Sequence, residues 1–284
     1  MSVISSEGSF RGVRARRISW RSWLPAGNQP LKGVISIAHG YGEHTGRYGH
    51  VALRLCEAGY AVYGPDHRGH GRSQGKPGRI SVAAAVADLD QMVVTVARKR
   101  HPDQPQFLLG HSMGGLIALH YATAHQQRLT GLVLSAPLAK VDGGPLLLAI
   151  GRVMGLIAPG AQVSQVDPRL VSRDHQVVTG YIADPLNYHG RIPAAVARDF
   201  IRSTAGLDQL AASVRLPTLL QWGTADRLCP TEGSQMLADR LGTEDLTVIQ
   251  YPGAFHEIYN EPEREQVIND LLAWLSAHIA NGTD

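Results

Sequence analysis

Gly110-His111-Ser112-Met113-Gly114 lies between a short apolar run that predicts a buried strand, residues 106–109, and a run that predicts a helix, residues 115–122. A G-x-S-x-G sequence in that position is typical of a nucleophile elbow, a tight turn that presents the serine hydroxyl at the carboxyl edge of a sheet. Glycines are needed on both sides because a side chain there would collide with the neighbouring strand or helix. A glycine-rich turn with an incidental serine is the alternative interpretation. We favour Ser112 as a nucleophile because the partners that such a serine needs follow it in the chain.

A carboxylate and a histidine each follow a predicted strand downstream of Ser112. Asp226 comes after the apolar run 217–222, and His256 comes after the run 246–251. A serine hydroxyl is a poor nucleophile at neutral pH, so it needs a base within hydrogen-bond reach, and that base needs an acid to orient it. The chain order Ser, Asp, His is the order that accompanies the elbow. The sequence therefore predicts a catalytic triad of Ser112, Asp226 and His256.

Other acids and histidines compete for these roles. Asp208 and Glu232 are rival acids, although a carboxylate near the start of a helix, as Glu232 is, is expected for capping and the helix dipole alone. His67 and His70 lie in a loop without a cluster of carboxylates, so we interpret them as hydrogen-bonded structural residues rather than metal ligands. The two cysteines show no metal spacing. We therefore expect neither a metal site nor a cofactor.

Two backbone N–H groups are candidates for an oxyanion hole, the set of donors that stabilises the negative oxygen of an acyl-transfer intermediate. The predicted strand 33–38 ends in the glycine-rich loop 39–44, which leaves N–H groups free to point at a ligand. We assign one donor to Tyr41 in this loop. The second is the N–H of Met113, the residue after the nucleophile.

The predicted strands alternate with helical patterns, as in a mainly parallel α/β sheet with helices on both faces. An alternating strand at 17–24 and a turn at 25–28 predict an opening hairpin with the strand at 33–38. The other apolar runs predict strands at 59–64, 106–109, 131–136, 217–222 and 246–251, and apolar periodicity predicts helices at 47–58, 82–96, 115–122 and 262–280.

A long interval of about 80 residues separates the last two predicted strands from the earlier ones, which is far more than an ordinary loop. It contains helix candidates at 145–157 and 193–207. An insertion with its own helices predicts a cap over the active-site edge. The predicted domains are a cap at 139–207 and a catalytic domain formed by 1–138 and 208–284.

The helix candidate at 145–157 is apolar almost all round, with Arg152 its only charge. At about 13 residues it is too short to span a bilayer. Leu147, Leu148 and Ile150 are candidate substrate contacts on one side of this helix. The opposite side is free to meet a membrane or micelle.

Composition argues against several classes of protein. The chain has 27 basic and 24 acidic residues, a formal net charge of +3 and no long basic run, so nothing indicates nucleic-acid binding. It begins without the regions of a signal peptide and has no apolar stretch of the roughly 18 residues that a spanning helix needs. We therefore expect a cytoplasmic protein, or one that associates peripherally with a membrane. Cys229, three residues after Asp226, is either an ordinary buried thiol or a reactive one.

Six motifs spread over nearly the whole chain are more specific than the elbow alone. They are His39-Gly-Tyr-Gly-Glu-His44-Thr-Gly-Arg-Tyr48, Asp66-His-Arg-Gly-His-Gly-Arg-Ser73, Gly110-His-Ser-Met-Gly-Gly115, Asp184-Pro-Leu186, Gly223-Thr-Ala-Asp226-Arg-Leu-Cys229 and Phe255-His256-Glu257. This set resembles the monoacylglycerol lipases of the α/β-hydrolase superfamily, and most of all the bacterial, mycobacterial type. The resemblance implies the α/β-hydrolase fold, with an eight-stranded sheet and a helical cap inserted after the sixth strand.

The resemblance also implies hydrolysis of monoacylglycerols to glycerol and free fatty acid by the same triad, without a cofactor, and peripheral contact of the cap with a membrane or lipid droplet. It places Arg47 and Tyr181 where the animal members contact the glycerol end, and Tyr259 where they carry a second histidine. A lysophospholipase, a broader carboxylesterase or an aminopeptidase would keep the same triad. A non-catalytic binding protein of this fold would normally lack a triad residue. A monomer and a homodimer both remain open.

Overall fold

The computed structural model describes residues 2–27 and 29–279 of the 284-residue chain. Its strands are β1 (Val3–Arg11), β2 (Arg17–Pro25), β3 (Gly33–Ala38), β4 (Tyr60–Pro65), β5 (Gln106–His111), β6 (Gly131–Ser135), β7 (Gln162–Ser164), β8 (Ile192–Pro193), β9 (Thr218–Gly223) and β10 (Leu246–Tyr251). Within those residues, eight strands form one sheet in the order β1-β2-β4-β3-β5-β6-β9-β10, while β7 and β8 pair separately. β2 is antiparallel to both β1 and β4, and the other neighbours in the large sheet are parallel. The prediction of a mainly parallel eight-stranded sheet is confirmed.

The helices of the described residues are α1 (Gly49–Glu57), α2 (Val82–Met92), α3 (Met113–His125), α4 (Pro145–Ile157), α5 (His175–Ala183), α6 (Ala194–Thr204), α7 (Leu207–Ala211), α8 (Thr231–Arg240) and α9 (Arg264–Ala277). A 3₁₀ turn at Thr45–Tyr48 precedes α1, and α2 continues as a π-helical segment at Val93–Arg98. The predicted helix 193–207 is divided between α6 and α7. The predicted end of the last helix, at residue 280, lies outside the described residues.

The central strands are buried from end to end because helices cover both faces of the sheet. Every residue of β3, β4, β5, β6 and β9 is buried. In β3, Val34 and Ala38 belong to the hydrophobic core on one face, which α2, α3 and α8 also build. Ile35 and Ile37 belong to the core on the other face, with α1 and α9. The prediction of helices on both faces is confirmed.

The predicted opening hairpin is wrong in its partner. β2 lies between β1 and β4, and β3 lies between β4 and β5, so β2 and β3 are not paired. The strand that completes the hairpin is β1, whose sequence Val3-Ile-Ser-Ser-Glu-Gly-Ser-Phe-Arg11 is mostly polar. Because β1 forms an exposed edge of the sheet, no apolar run marks it.

The insertion that follows the sixth strand contains α4, β7, α5, β8 and α6. α4 packs closely against α6, since a Cβ on Gly155 would lie 2.4 Å from Arg198 Cβ and 2.8 Å from Ala194 O. The predicted boundary between residues 207 and 208 falls within α7, whose Leu207 and Ala211 are buried in the core. The domain limits stay a prediction. Among the described helices, none has both the length and the apolar character needed to cross a bilayer.

Candidate active site

Ser112 occupies the turn between β5 and α3, with φ of 55° and ψ of −122°. A positive φ is strained for a residue with a Cβ, and such strain is concentrated at functional positions. The neighbouring glycines allow close packing: a Cβ on Gly110 would lie 2.4 Å from Gly114 O, and one on Gly114 would lie 2.0 Å from Ala38 O. The Ser112 N–H donates to Ser135 O at 3.0 Å, so the turn is fixed against β6.

His256 and Asp226 meet just beyond the ends of β10 and β9. The distance between His256 Nδ1 and Asp226 Oδ2 is 2.7 Å, and Asp226 Oδ1 accepts the N–H groups of Leu228 at 2.8 Å and Cys229 at 3.0 Å. Burial raises the pKa of the Asp226 carboxyl, but the charge of His256 and these hydrogen bonds outweigh burial and lower the pKa below its ordinary 3.8. Since an ionised carboxylate can only accept, it fixes the hydrogen of the imidazole on Nδ1.

The electrostatic surroundings make His256 the better base of two neighbouring imidazoles. Burial lowers the pKa of His256, but Asp226, Glu257 and Glu43 raise it above its ordinary 6.5. The ring of His111 lies 4.7 Å from that of His256. Burial and the nearby His256 lower the pKa of His111 to about 4 and keep it neutral. A proton from the nucleophile is therefore better accommodated on His256.

The Ser112 hydroxyl faces Cys229, with Oγ 3.8 Å from Sγ. It forms no hydrogen bond with His256 in the described part of the chain. Catalytic hydrogen bonds are often long or poorly aligned before substrate binds, and a serine hydroxyl reorients by rotation about one bond. Cys229 is buried, and burial together with the charge of Asp226 raises the pKa of its thiol well above 9.0. Of the two interpretations of Cys229, these features favour the ordinary buried thiol.

The candidate oxyanion donors lie on two segments that contact the nucleophile. Met113 begins α3, where backbone N–H groups have no acceptor within the helix. A Cβ on Gly40 would lie 3.2 Å from Ser112 Cβ, which brings Tyr41 close to the nucleophile. Between residues 2 and 279, leaving out residue 28, no protein acceptor takes up the N–H of Tyr41 or Met113. Their assignment stays a prediction that this placement supports.

A largely apolar cavity of about 580 Å³ opens onto Ser112 and His256. This volume falls within the range of small-molecule sites. Much of its wall comes from the cap, and the predicted substrate contacts that line it are Leu147, Leu148, Ile150 and Tyr181. The helix α4 therefore forms one side of the cavity.

Arg47 does not line this cavity. Its guanidinium pairs with Glu43 and Glu257 and lies 4.8 Å from the centre of the Tyr181 ring. Tyr181 is buried, with its hydroxyl 3.5 Å from Gly42 O. The structure thus places Tyr181 where it can contact substrate, whereas the expected contact of Arg47 with substrate is not supported.

Sequence reasoning missed Glu43 and Glu257, both of which line the cavity. Glu43 precedes Arg47 by four residues, a spacing typical of local ion pairs, and this spacing could have revealed the first pairing. Arg47 and Glu257 are 210 residues apart, so no local pattern marks the second pairing.

The rival groups lie elsewhere. Asp208 belongs to α7 and Glu232 to the first turn of α8, and neither is hydrogen-bonded to His256.

His67 packs against His39 with ring centroids 4.4 Å apart, and burial lowers the pKa of His70 to about 3. In the described ranges, no group of three or more His, Cys, Asp or Glu side chains is arranged to hold a metal.

Comparisons with known proteins identify the family of the chain. Residues 29–263 match the family model described as serine aminopeptidase, S33. A monoacylglycerol lipase of Mycolicibacterium smegmatis is 41% identical over 98% of this chain and 100% of its own length, and a monoglyceride lipase of Rattus norvegicus is 33% identical over 92% and 87%. The crystal structure of Paleococcus ferrophilus monoacylglycerol lipase has a TM-score of 0.81 and 32% identity, covering 98% of this chain and 100% of that one. The chain therefore belongs to the serine aminopeptidase S33 family of α/β-hydrolases, in the branch that includes the monoacylglycerol lipases.

Proposed function

We propose that this protein is a serine hydrolase that cleaves the ester bond of monoacylglycerols and releases glycerol and a free fatty acid. Ser112 is the nucleophile, His256 the general base and Asp226 the residue that orients the base. The Tyr41 and Met113 N–H groups form the oxyanion hole.

In this proposal the reaction proceeds through an acyl-enzyme. His256 Nε2 accepts the Ser112 proton while Oγ attacks the acyl carbonyl, and the two N–H groups stabilise the resulting oxyanion by about a hundredfold or more per donor. The imidazolium then protonates the departing glycerol oxygen, which leaves an acyl-serine. Water attacks that ester by the same route, with His256 taking its proton, and Ser112 and the fatty acid are released.

The observation that carries this proposal is the apolar cavity of about 580 Å³ that ends at Ser112. An acyl chain gains about 0.8 kcal/mol for each buried methylene, so a cavity of this character rewards one enclosed tail. The identity of the head group rests on the relatives, which are named as monoacylglycerol lipases.

Peptide hydrolysis, which the family description suggests, is less well supported. An aminopeptidase has to hold the substrate ammonium, and a buried carboxylate without another cation would do so best. The two buried carboxylates of the cavity wall, Glu43 and Glu257, are both paired with Arg47. An ammonium would have to compete with a guanidinium that is already in place.

We expect monoacylglycerols to be hydrolysed much faster than triacylglycerols, because the cavity accommodates one acyl chain and the other two would remain outside. The measurement is kcat/KM for mono-, di- and triacylglycerols with the same acyl chain, beside a lysophospholipid and a peptide amide. Equal rates on monoacylglycerol and triacylglycerol emulsions would contradict the proposed substrate class. A preference for the lysophospholipid would indicate a lysophospholipase, and a preference for the peptide amide would indicate an aminopeptidase.

We also propose that α4 contacts a lipid surface. Leu146 is 75% exposed and Ile157 is 73% exposed, and neither lines the cavity. The two leucines between them that do line it, Leu147 and Leu148, are less suitable for a test because their substitution would also alter substrate binding.

Leu146→Asp and Ile157→Asp are each expected to weaken binding to phospholipid vesicles about tenfold or more, since a buried leucine or isoleucine contributes about 1.5–3 kcal/mol. Vesicle flotation measures the binding, and hydrolysis of a short soluble ester should stay at the wild-type rate. Val248→Asp on β10, where the side chain is 40% exposed, is the matched control. Unchanged vesicle binding in both cap variants would leave α4 as a cavity wall alone.

A further inference from the structure

Three charged side chains form a buried cluster beside the cavity, which we call the Arg47 clamp: Glu43, Arg47 and Glu257. Their side chains are 4%, 10% and 6% exposed. Arg47 Nη1 donates to Glu43 Oε2 at 2.9 Å and to Glu257 Oε1 at 2.6 Å, while Nη2 donates to Glu257 Oε2 at 2.7 Å. Buried charges are costly unless they are paired with good geometry, so this arrangement requires an explanation.

The clamp joins the two segments that carry the proposed oxyanion donor and the base. Glu43 Oε1 accepts the Gly40 N–H at 2.6 Å and the Tyr48 hydroxyl at 2.8 Å, so it anchors the loop that contains Tyr41. Glu257 directly follows His256 in the chain.

The second segment is itself well anchored. The Glu257 N–H donates to Val171 O at 2.8 Å, and Asn260 Nδ2 donates to Glu257 Oε2 at 2.9 Å. The paired hydrogen bonds between a guanidinium and a carboxylate fix both distance and plane. Because Arg47 is bonded to both glutamates, it fixes the distance between the two anchored segments.

We propose that Arg47 and Glu257 are positioning residues, which hold the Tyr41 loop and the His256 loop in the relative placement that ester hydrolysis requires. This inference rests on the proposed roles of Tyr41 and His256. Catalytic groups have to be held within about 0.5 Å of their productive positions, and a misplacement of 1 Å costs about a hundredfold in rate.

The clamp also has an electrostatic effect on the base. Two carboxylates and one guanidinium leave a net negative charge near His256, and both Glu257 and Glu43 raise the pKa of that imidazole. The other groups that face the ring are Asp226, which raises the pKa further, and the neutral His111. Loss of the Glu257 charge should therefore shift the pH dependence of kcat/KM.

The test compares Glu257→Gln and Arg47→Lys with wild type. Each is expected to lower kcat about tenfold to a hundredfold with little change in KM, because the paired hydrogen bonds are lost while the cavity remains. Glu257→Gln removes a negative charge beside His256, so the pKa of His256 falls and the acid limb of kcat/KM moves to lower pH. Arg47→Lys keeps its charge, so its acid limb should stay in place while its kcat falls.

Glu261→Gln is the matched control, because Glu261 is fully buried in the same segment but pairs with Arg173 of the cap. It should lower Tm without moving the acid limb. Wild-type kcat and pH profile in Glu257→Gln would overturn the proposal, and so would losses no larger than those of Glu261→Gln. If Glu257→Gln does not fold, wild-type kcat in Arg47→Lys overturns it.

The rate of labelling by a fluorophosphonate separates this inference from the proposed substrate. Labelling requires the nucleophile, the base and the oxyanion hole but no particular acyl chain or head group. Slow labelling in both clamp variants would therefore support the positioning role of Arg47 and Glu257, even if the wild-type protein did not hydrolyse monoacylglycerols. If the wild-type protein hydrolyses monoacylglycerols and both variants are labelled at the wild-type rate, the proposed function stands and the positioning role of the Arg47 clamp is wrong.

Discussion

Ser112→Ala is expected to lower kcat about a million-fold, the size of the loss when the nucleophile of a serine hydrolase is removed. Alanine keeps the Cβ, so the strained φ of 55° is unchanged, and the backbone hydrogen bond to Ser135 O is retained. We therefore expect Tm to stay at the wild-type value. The measurements are ester hydrolysis, labelling by a fluorophosphonate and thermal unfolding.

Ser164→Ala is the matched control, because Ser164 is another serine that lines the cavity. It should be labelled and should turn over like the wild-type protein. Persistent labelling of Ser112→Ala would place the nucleophile at another residue.

Asp226→Asn is expected to lower kcat by about four orders of magnitude, as the equivalent change does in serine proteases. Asp226 Oδ1 accepts the N–H groups of Leu228 and Cys229, so the asparagine oxygen should keep that place. Its NH₂ group then replaces Oδ2 and donates to His256 Nδ1. The imidazole hydrogen moves to Nε2, which can no longer accept the Ser112 proton.

Asp208→Asn, in the rival acid on α7, should leave activity unchanged. Steady-state kinetics of both variants, with circular dichroism to verify folding, make the comparison. A greater loss in Asp208→Asn than in Asp226→Asn would show that the acid is wrongly assigned.

The parts of the fold that the sequence predicts are those whose burial leaves a pattern. β3 and β9 are covered on both faces and therefore appear as mostly apolar runs, whereas β1 is an exposed edge with a mostly polar sequence and leaves no such signal. The predicted pairing of β2 with β3 was wrong for a related reason. Adjacency in sequence suggests a hairpin, but the missing strand β1 was the actual partner.

The residues of the candidate site also differ in how far the sequence predicts them. Ser112 and His256 are predictable because the elbow and the chain order constrain them locally. Glu257 is not, since its role depends on a side chain 210 residues earlier that the folded sheet brings within 2.6 Å. The expectation for Arg47 came from resemblance alone, which gives the position of a residue but not its contacts in this chain.

The place of β9 in the sheet has a consequence for synthesis on the ribosome. β9 pairs with β6, but about 80 residues, most of them in the cap, are synthesised between the two strands, which takes roughly 4–16 s at ordinary rates of translation. Throughout that time β6, every residue of which is buried in the folded protein, lacks its β9 partner and presents an open edge to another nascent chain. The insertion that builds much of the cavity wall thus prolongs the time during which β6 can pair wrongly.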